Sequence, residues 1–131
     1  MPYRKEYEPD GLGVVLVFFG LVEGDELYLV HRQLMREERF SQWRYQIWDF
    51  YEATAFAVTA DHLRKFAFQN SLASEVNPRQ KIAIIRSRQG PRTGLDELFH
   101  LFEEEWGAYP SKTFSKIAAA RKWAKSNEEK G

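Results

Sequence analysis

Two kinds of hydrophobic spacing alternate along this chain. Val14-Val15-Leu16-Val17-Phe18-Phe19 is apolar at every position, as in a central strand covered by helices on both sides, and Gly20 is expected to end it. Leu27, Val30, Leu34 and Met35 then recur at helical spacing, opposite Arg32, Arg36, Glu37 and Glu38. Gly24-Asp25 opens that helix, with Asp25 placed to cap free backbone N–H groups. Phe40 to Arg44 reads as a connection in which Trp43 packs back on the core. Tyr45 to Phe50 is the next buried strand, with Asp49 at its carboxyl end and a polar connection after it. A second helix is predicted from about Ala60 to Ser74, with Leu63, Phe66, Ala67 and Leu72 available for packing. Asn77-Pro78 stops it, because a residue before proline is pushed out of the helical region.

Lys81 to Ile85 is another buried strand, followed by a basic loop from Arg86 to Arg92. Thr93 is placed to cap a third helix, with Asp96 as a weak capping-box partner and Leu95, Leu98, Phe99, Phe102 and Trp106 as its stripe. Gly107 and Pro110 end that helix. Lys112-Thr113-Phe114 is a short strand, and Ser115 caps a last helix bearing Ile117, Ala120, Trp123 and Ala124. Ahead of all these, Tyr3, Lys5 and Tyr7 alternate with Arg4, Glu6 and Glu8, which suits an exposed edge strand. Pro9-Asp10-Gly11 turns it into the first buried strand. The order β-β-α-β-α-β-α-β-α predicts an α/β fold: a mostly parallel sheet of four to five strands, about four flanking helices and an N-terminal antiparallel hairpin strand. One domain is expected over residues 1–131, with an ordered core from about 3 to 125.

Composition narrows the function more than the fold. Aromatics make up 15% of the chain, too many for a disordered segment. There is no Cys, so disulfides, thiol nucleophiles and thiolate metal sites are excluded. Lys and Arg number 19 against 19 Asp and Glu, which argues against a nucleic-acid partner. The longest apolar run is too short to span a bilayer, and the first residues lack a signal-peptide core, so a cytoplasmic protein without a transmembrane segment is expected. His31, His62 and His100 fall on three different predicted helices, so no metal site is predicted. Gly11-Leu12-Gly13 precedes its strand and has Leu16 at the third glycine position, so it is not a dinucleotide fingerprint. No cofactor and no catalytic residue are assigned.

With these elements placed, the chain resembles the SpoIIAA-like superfamily, the STAS-type regulatory domains and a bacterial subgroup of unknown function, over roughly residues 3 to 125. The carriers are Gly20 after the first buried strand, Asp25-Glu26-Leu27 at the helix start, and Asp49 followed by Ala53-Thr54 and Thr59-Ala60-Asp61. The Ile82-to-Ile85 strand and Phe114 followed by Ala118-Ala119-Ala120 and Lys122-Trp123 complete them. The resemblance implies a regulatory domain that acts by binding a protein partner. In the anti-anti-sigma members an Asp-Ser-Ser-Gly motif carries a phosphorylated Ser at a helix start. Here that stretch is Ala57-Val58-Thr59-Ala60, so no intact phosphoserine motif is implied and Thr59 is the nearest hydroxyl.

The expected partner or ligand surface combines Asp49, Glu52, Thr54, Thr59, Asp61, Arg86, Arg88, Arg92 and Thr93. Thr59 suits a phosphate at the positive end of a helix, but Thr is also a preferred N-cap. Asp49 suits a ligand donor at a strand end, but equally an Asx-type bond to the following backbone. The arginine loop with a helix start suits a small anion or an acidic partner. Both surface loops should lie at the same end of a parallel sheet. An alternative function is a carrier of an apolar or lipid-like ligand, with Tyr45, Trp48, Phe50, Phe56, Phe66 and Phe68 lining a cavity; core filling competes with it. An enzyme of unknown chemistry ranks third. A homodimer through exposed aromatics and the Tyr3–Tyr7 edge is compatible with the pattern.

Overall fold

A computed structural model describes residues 3–88, 99–101, 104–105 and 109–126. Among these residues five strands form one sheet in the order β1-β2-β3-β4-β5, built from Tyr3–Tyr7, Gly13–Glu23, Tyr45–Ala57, Lys81–Ile85 and Ser111–Phe114. β1 pairs antiparallel with β2, and the other neighbours pair parallel. Helices α1 (Gly24–Met35), α2 (Ala60–Val76) and α3 (Ile117–Ala124) flank the sheet, and residues 99–101 and 104–105 are also helical. The alternating βα order thus yields the mostly parallel α/β sheet that its hydrophobic pattern predicts. Among the described residues no helix is long and apolar enough to cross a membrane.

Alternation along the strands divides the core into two layers. Val14, Leu16 and Phe18 of β2, Trp48 of β3 and Ile82 of β4 face α1, α2 and Phe99. Val15, Val17, Tyr45, Ile47, Ala83 and Ile85 face Ala120, Trp123 and Ala124 of α3. This is why β2 reads as continuously apolar: both of its faces are covered. β1 is the opposite case, with all five residues exposed at the edge.

The structure corrects several expectations. Gly20 does not end β2; it adopts φ 64 inside an 11-residue strand, beside a register shift against β3. Glycine enters this left-handed region without a Cβ clash, so the strand bends and continues. β3 likewise runs past Asp49 and Phe50 to Ala57, because Phe19–Glu23 of β2 continue to pair with Glu52–Ala57. The polar connection expected after Asp49 is therefore mostly strand. Asp25 is not a cap: Glu23 occupies the N-cap of α1 and makes no side-chain bond there. Ser115 is not a cap either, since α3 starts one residue later from Lys116. Leu72 is 48% exposed and does not pack inward. The arginine at 92 and the cap at 93 lie outside the described residues.

Buried polar groups tie the elements together. At the amino-terminal end of the sheet, Gln46 donates to Gln80 (2.9 Å) and accepts from Trp48 Nε1 (3.0 Å). Gln80 donates to the Tyr109 hydroxyl, which donates to the Asn77 carbonyl, and Asn77 donates to the carbonyls of Phe40 and Trp43. Between α1 and α2, the fully buried His31 ring places Nδ1 2.7 Å from Gln69 Oε1 and Nε2 2.7 Å from Asn70 Oδ1. A neutral ring donates from one nitrogen and accepts at the other, so one of these amides presents its NH2.

Burial lowers the His31 pKa, against the two amide hydrogen bonds that raise it. The unfolded chain therefore takes up a proton below about pH 6.5 that the folded chain resists. Stability from this site is fully present above that value and falls as the pH drops through it, by at most ~1.4 kcal/mol per pH unit. Urea unfolding at several pH values should show this slope in the native protein and a shallower one in His31→Gln; equal slopes would refute it.

Candidate functional site

The parallel ribbon formed by the second halves of β2 and β3 carries α1 and α2 side by side at its end. Glu23 pairs with Ala57, and each strand leads into its helix within three residues. The two helix N-termini therefore start level, and the His62 ring of α2 lies on Gly24 of α1. A Cβ at Gly24 would stand 2.2 Å from His62 Nδ1, so only glycine admits the ring there.

His62 closes a capping box. Thr59 Oγ1 accepts the His62 backbone N–H (3.2 Å), and His62 Nδ1 accepts the Thr59 backbone N–H (3.0 Å). With Nδ1 used as an acceptor, the neutral ring carries its proton on Nε2, which faces Asp25 Oδ1 at 3.1 Å. Asp25 thus reaches across to the neighbouring helix instead of capping its own. The sequence signal was Thr59-x-x-His62, a capping-box spacing with His where Glu or Gln is usual. Asp61, two residues after Thr59, is exposed and pairs locally with Arg64 (3.5 Å) and Lys65 (3.4 Å).

A second group forms where β4 ends. Asp49 lies level with Ile85, the last residue of β4, so it marks the end of the five-stranded region although its own strand continues. Its Oδ1 accepts the Tyr51 N–H at 2.9 Å, an Asx-type bond. Half-burial raises the Asp49 pKa, the Tyr51 bond and Arg4 counter this, and the charges of Glu52 and Glu6 add to the rise. Just beyond, the Arg88 N–H donates to the Tyr51 carbonyl (3.1 Å), and its Nε lies 3.6 Å from Glu52 Oε1. Ser87 Oγ donates to the Ala53 carbonyl at 2.6 Å, while the Arg86 N–H donates to the Phe114 carbonyl. The chain after β4 therefore folds against the middle of β3, and Glu52 meets Arg88 as a common sheet end requires.

The predicted residues consequently fall into two groups, not one. Asp49, Glu52, Arg86 and Arg88 gather near the end of β4, with Thr54 exposed next along the ribbon. Thr59 and Asp61 lie at its far end, up to ~23 Å of extended chain beyond Glu52. Sequence reasoning missed Leu21 and Tyr51, which are 46% and 42% exposed along the same ribbon. The six aromatics proposed to line a cavity do not converge. Tyr45 lies in the α3 layer, Phe68 is 45% exposed, and Trp48, Phe50, Phe56 and Phe66 pack with the α1–α2 core. His100 sits apart, its ring nitrogens 2.5 Å from Ser111 Oγ and 2.6 Å from Thr113 Oγ1.

These elements define the fold class: an α/β domain of SpoIIAA-like, STAS-type architecture. The solved structure of the anti-sigma factor antagonist SpoIIAA in its unphosphorylated form matches it with a TM-score of 0.60, covering 95% of this chain and 100% of that chain. Their sequences are 10% identical, so the likeness is one of fold. No protein-family model matches the chain, and no curated protein is similar to it in sequence.

The His62 clamp makes a quantitative prediction. Thr59→Ala should cost ~1 kcal/mol, the usual worth of a side-chain cap. Gly24→Ala should displace the ring and cost ~1–2 kcal/mol. Because both disrupt one unit, the double variant should lose less than the sum of the singles in urea unfolding. Strict additivity would show that the ring and the cap are independent.

Proposed function

We propose that this chain is a regulatory domain that binds a protein partner, without chemistry of its own and without a phosphoserine switch. The observation that carries the reading is its fold, shared with an anti-sigma factor antagonist. The cap supports the second half: the Thr59 hydroxyl already serves the α2 backbone, and no Asp-Ser-Ser-Gly sequence precedes it. A phosphate on Thr59 would have to displace the His62 contact that joins two helices.

The partner surface on this reading is the middle of the ribbon. Leu21 and Tyr51 supply exposed apolar area, and Asp49, Glu52, Thr54, Arg86 and Arg88 supply a mixed polar border. Apolar centres with polar rims are the usual composition of such contacts. The basic residue at 92 and the hydroxyl at 93 belong to the same proposal by sequence. On this reading the protein would act in the cytoplasm, as its sequence leads one to expect.

Affinity purification from the native cell, followed by mass spectrometry, tests the proposal with the native chain and with Arg88→Glu. The charge reversal sets a second carboxylate beside that of Glu52 and should reduce recovery of a specific partner by ~tenfold or more. Hydrogen exchange in the purified complex should slow at Glu52–Ala57. A chain that enriches no protein over a bait-free control, or a partner recovered equally by both forms, would sink the reading.

A further inference from the structure

We propose that β1 is a self-association edge: Tyr3–Tyr7 of one chain pairs antiparallel with the same strand of a second copy, about a twofold axis through Lys5. The five-stranded sheet would then continue across the axis into ten strands.

The backbone geometry supplies the docking groups. Among the described residues, β1 has a sheet neighbour on one side only, β2. Glu8 N–H donates to the Gly13 carbonyl across the turn (2.9 Å), so Glu8 faces β2. Alternation then turns Glu6 and Arg4 toward β2 as well, and leaves the N–H and C=O groups of Tyr3, Lys5 and Tyr7 pointing out of the sheet. A twofold axis at Lys5 makes Lys5 a hydrogen-bonded pair with its own copy. Tyr3 and Tyr7 form two more such pairs.

The side chains select this register. Arg4, which pairs with Glu6 of its own strand, falls opposite the second copy's Glu6, and Glu6 opposite its Arg4, so the four charges alternate and each also gains an opposite charge across the axis. Tyr3 falls opposite Tyr7 on the other face, where the two residues are 36% and 43% exposed. That face carries a shallow depression of about 160 Å3, lined by Tyr3, Glu26, Leu29, Val30 and Gln33. The second copy's Tyr7 arrives at its rim, next to Leu29, which is 51% exposed. Charged edge strands ordinarily resist pairing, and Lys5 against Lys5 would do so alone. Each Lys5, however, holds Glu37 at 2.5 Å, so two ion pairs meet and not two bare cations. Equal numbers of acidic and basic residues remove any net repulsion between copies.

Sedimentation equilibrium of the full chain over ~1–100 µM tests the proposal. The native protein should dimerise in that range. Lys5→Pro removes only an outward N–H, so β1 keeps its bonds to β2, and the protein should become monomeric. Arg4→Glu should weaken the dimer by ~tenfold or more, and Arg4→Glu with Glu6→Arg should restore it to within ~threefold. Circular dichroism of each variant confirms that it is folded, and the double variant reads the register even if Lys5→Pro folds poorly. A native protein that stays monomeric overturns the proposal. So does a double variant no tighter than the single, or a dimer that survives Lys5→Pro and is lost on Leu72→Glu in the exposed face of α2.

Discussion

The parallel pairing of β2 with β3 is the constraint on which the rest of this structure depends. Eleven residues of β2 run beside thirteen of β3, and shifts between Val17 and Phe19 and between Gly20 and Leu21 absorb the difference. Extra residues of this kind bend and twist a strand without breaking its ladder. Because the pairing holds to Glu23 and Ala57, both strands release their chains at the same level. α1 and α2 therefore begin side by side, His62 can rest on Gly24, and a turn or two later His31 meets Gln69 and Asn70. Each contact would be lost if either strand ended where its hydrophobic run ends.

That dependence also explains what could be read from the sequence. The order of elements, the edge character of Tyr3–Tyr7 and the burial of Leu27, Val30, Leu34, Leu63 and Phe66 follow from spacing alone, and they appear as expected. The ribbon does not, because Glu52-Ala53-Thr54-Ala55 has little intrinsic strand character and owes its conformation to the partner strand. Gly20 looks like a terminator for the same reason: its left-handed conformation is compatible with a turn or a bulge, and only pairing decides. The role of Asp25 was out of reach, since its partner lies 37 residues away on another helix. Of the site, the meeting of Glu52 with Arg88 followed from topology, whereas the separation of Thr59 from Glu52 depended on the unforeseen strand.

The two ends of the sheet are built differently, and this bears on where recognition can occur. At the amino-terminal end, Gln46, Gln80, Asn77 and Tyr109 form a connected buried network that also holds the carbonyls of Phe40 and Trp43. Such a network loses much if one member moves, because the groups left behind are buried and unpaired. Glu8 adds a tie on the α3 side, accepting Arg121 at 2.9 Å and the Tyr45 hydroxyl at 3.1 Å. The carboxyl-terminal end instead exposes Leu21, Tyr51 and a short-range charge pair on a two-stranded ribbon.

Charge is distributed to match. Among the described residues Lys5 is paired with Glu37, Arg121 with Glu8, Asp61 with Arg64 and Lys65, and Glu52 with Arg88, so these charges cancel locally within a sequence whose formal charges sum to zero. A surface of this kind has little long-range field with which to steer a partner or concentrate an anion. Discrimination has to come from contact: apolar area that fits, backbone groups in register and charges that meet opposite charges only in one alignment. Added salt should consequently act on association far less than it does for a binder that depends on one dominant sign of charge.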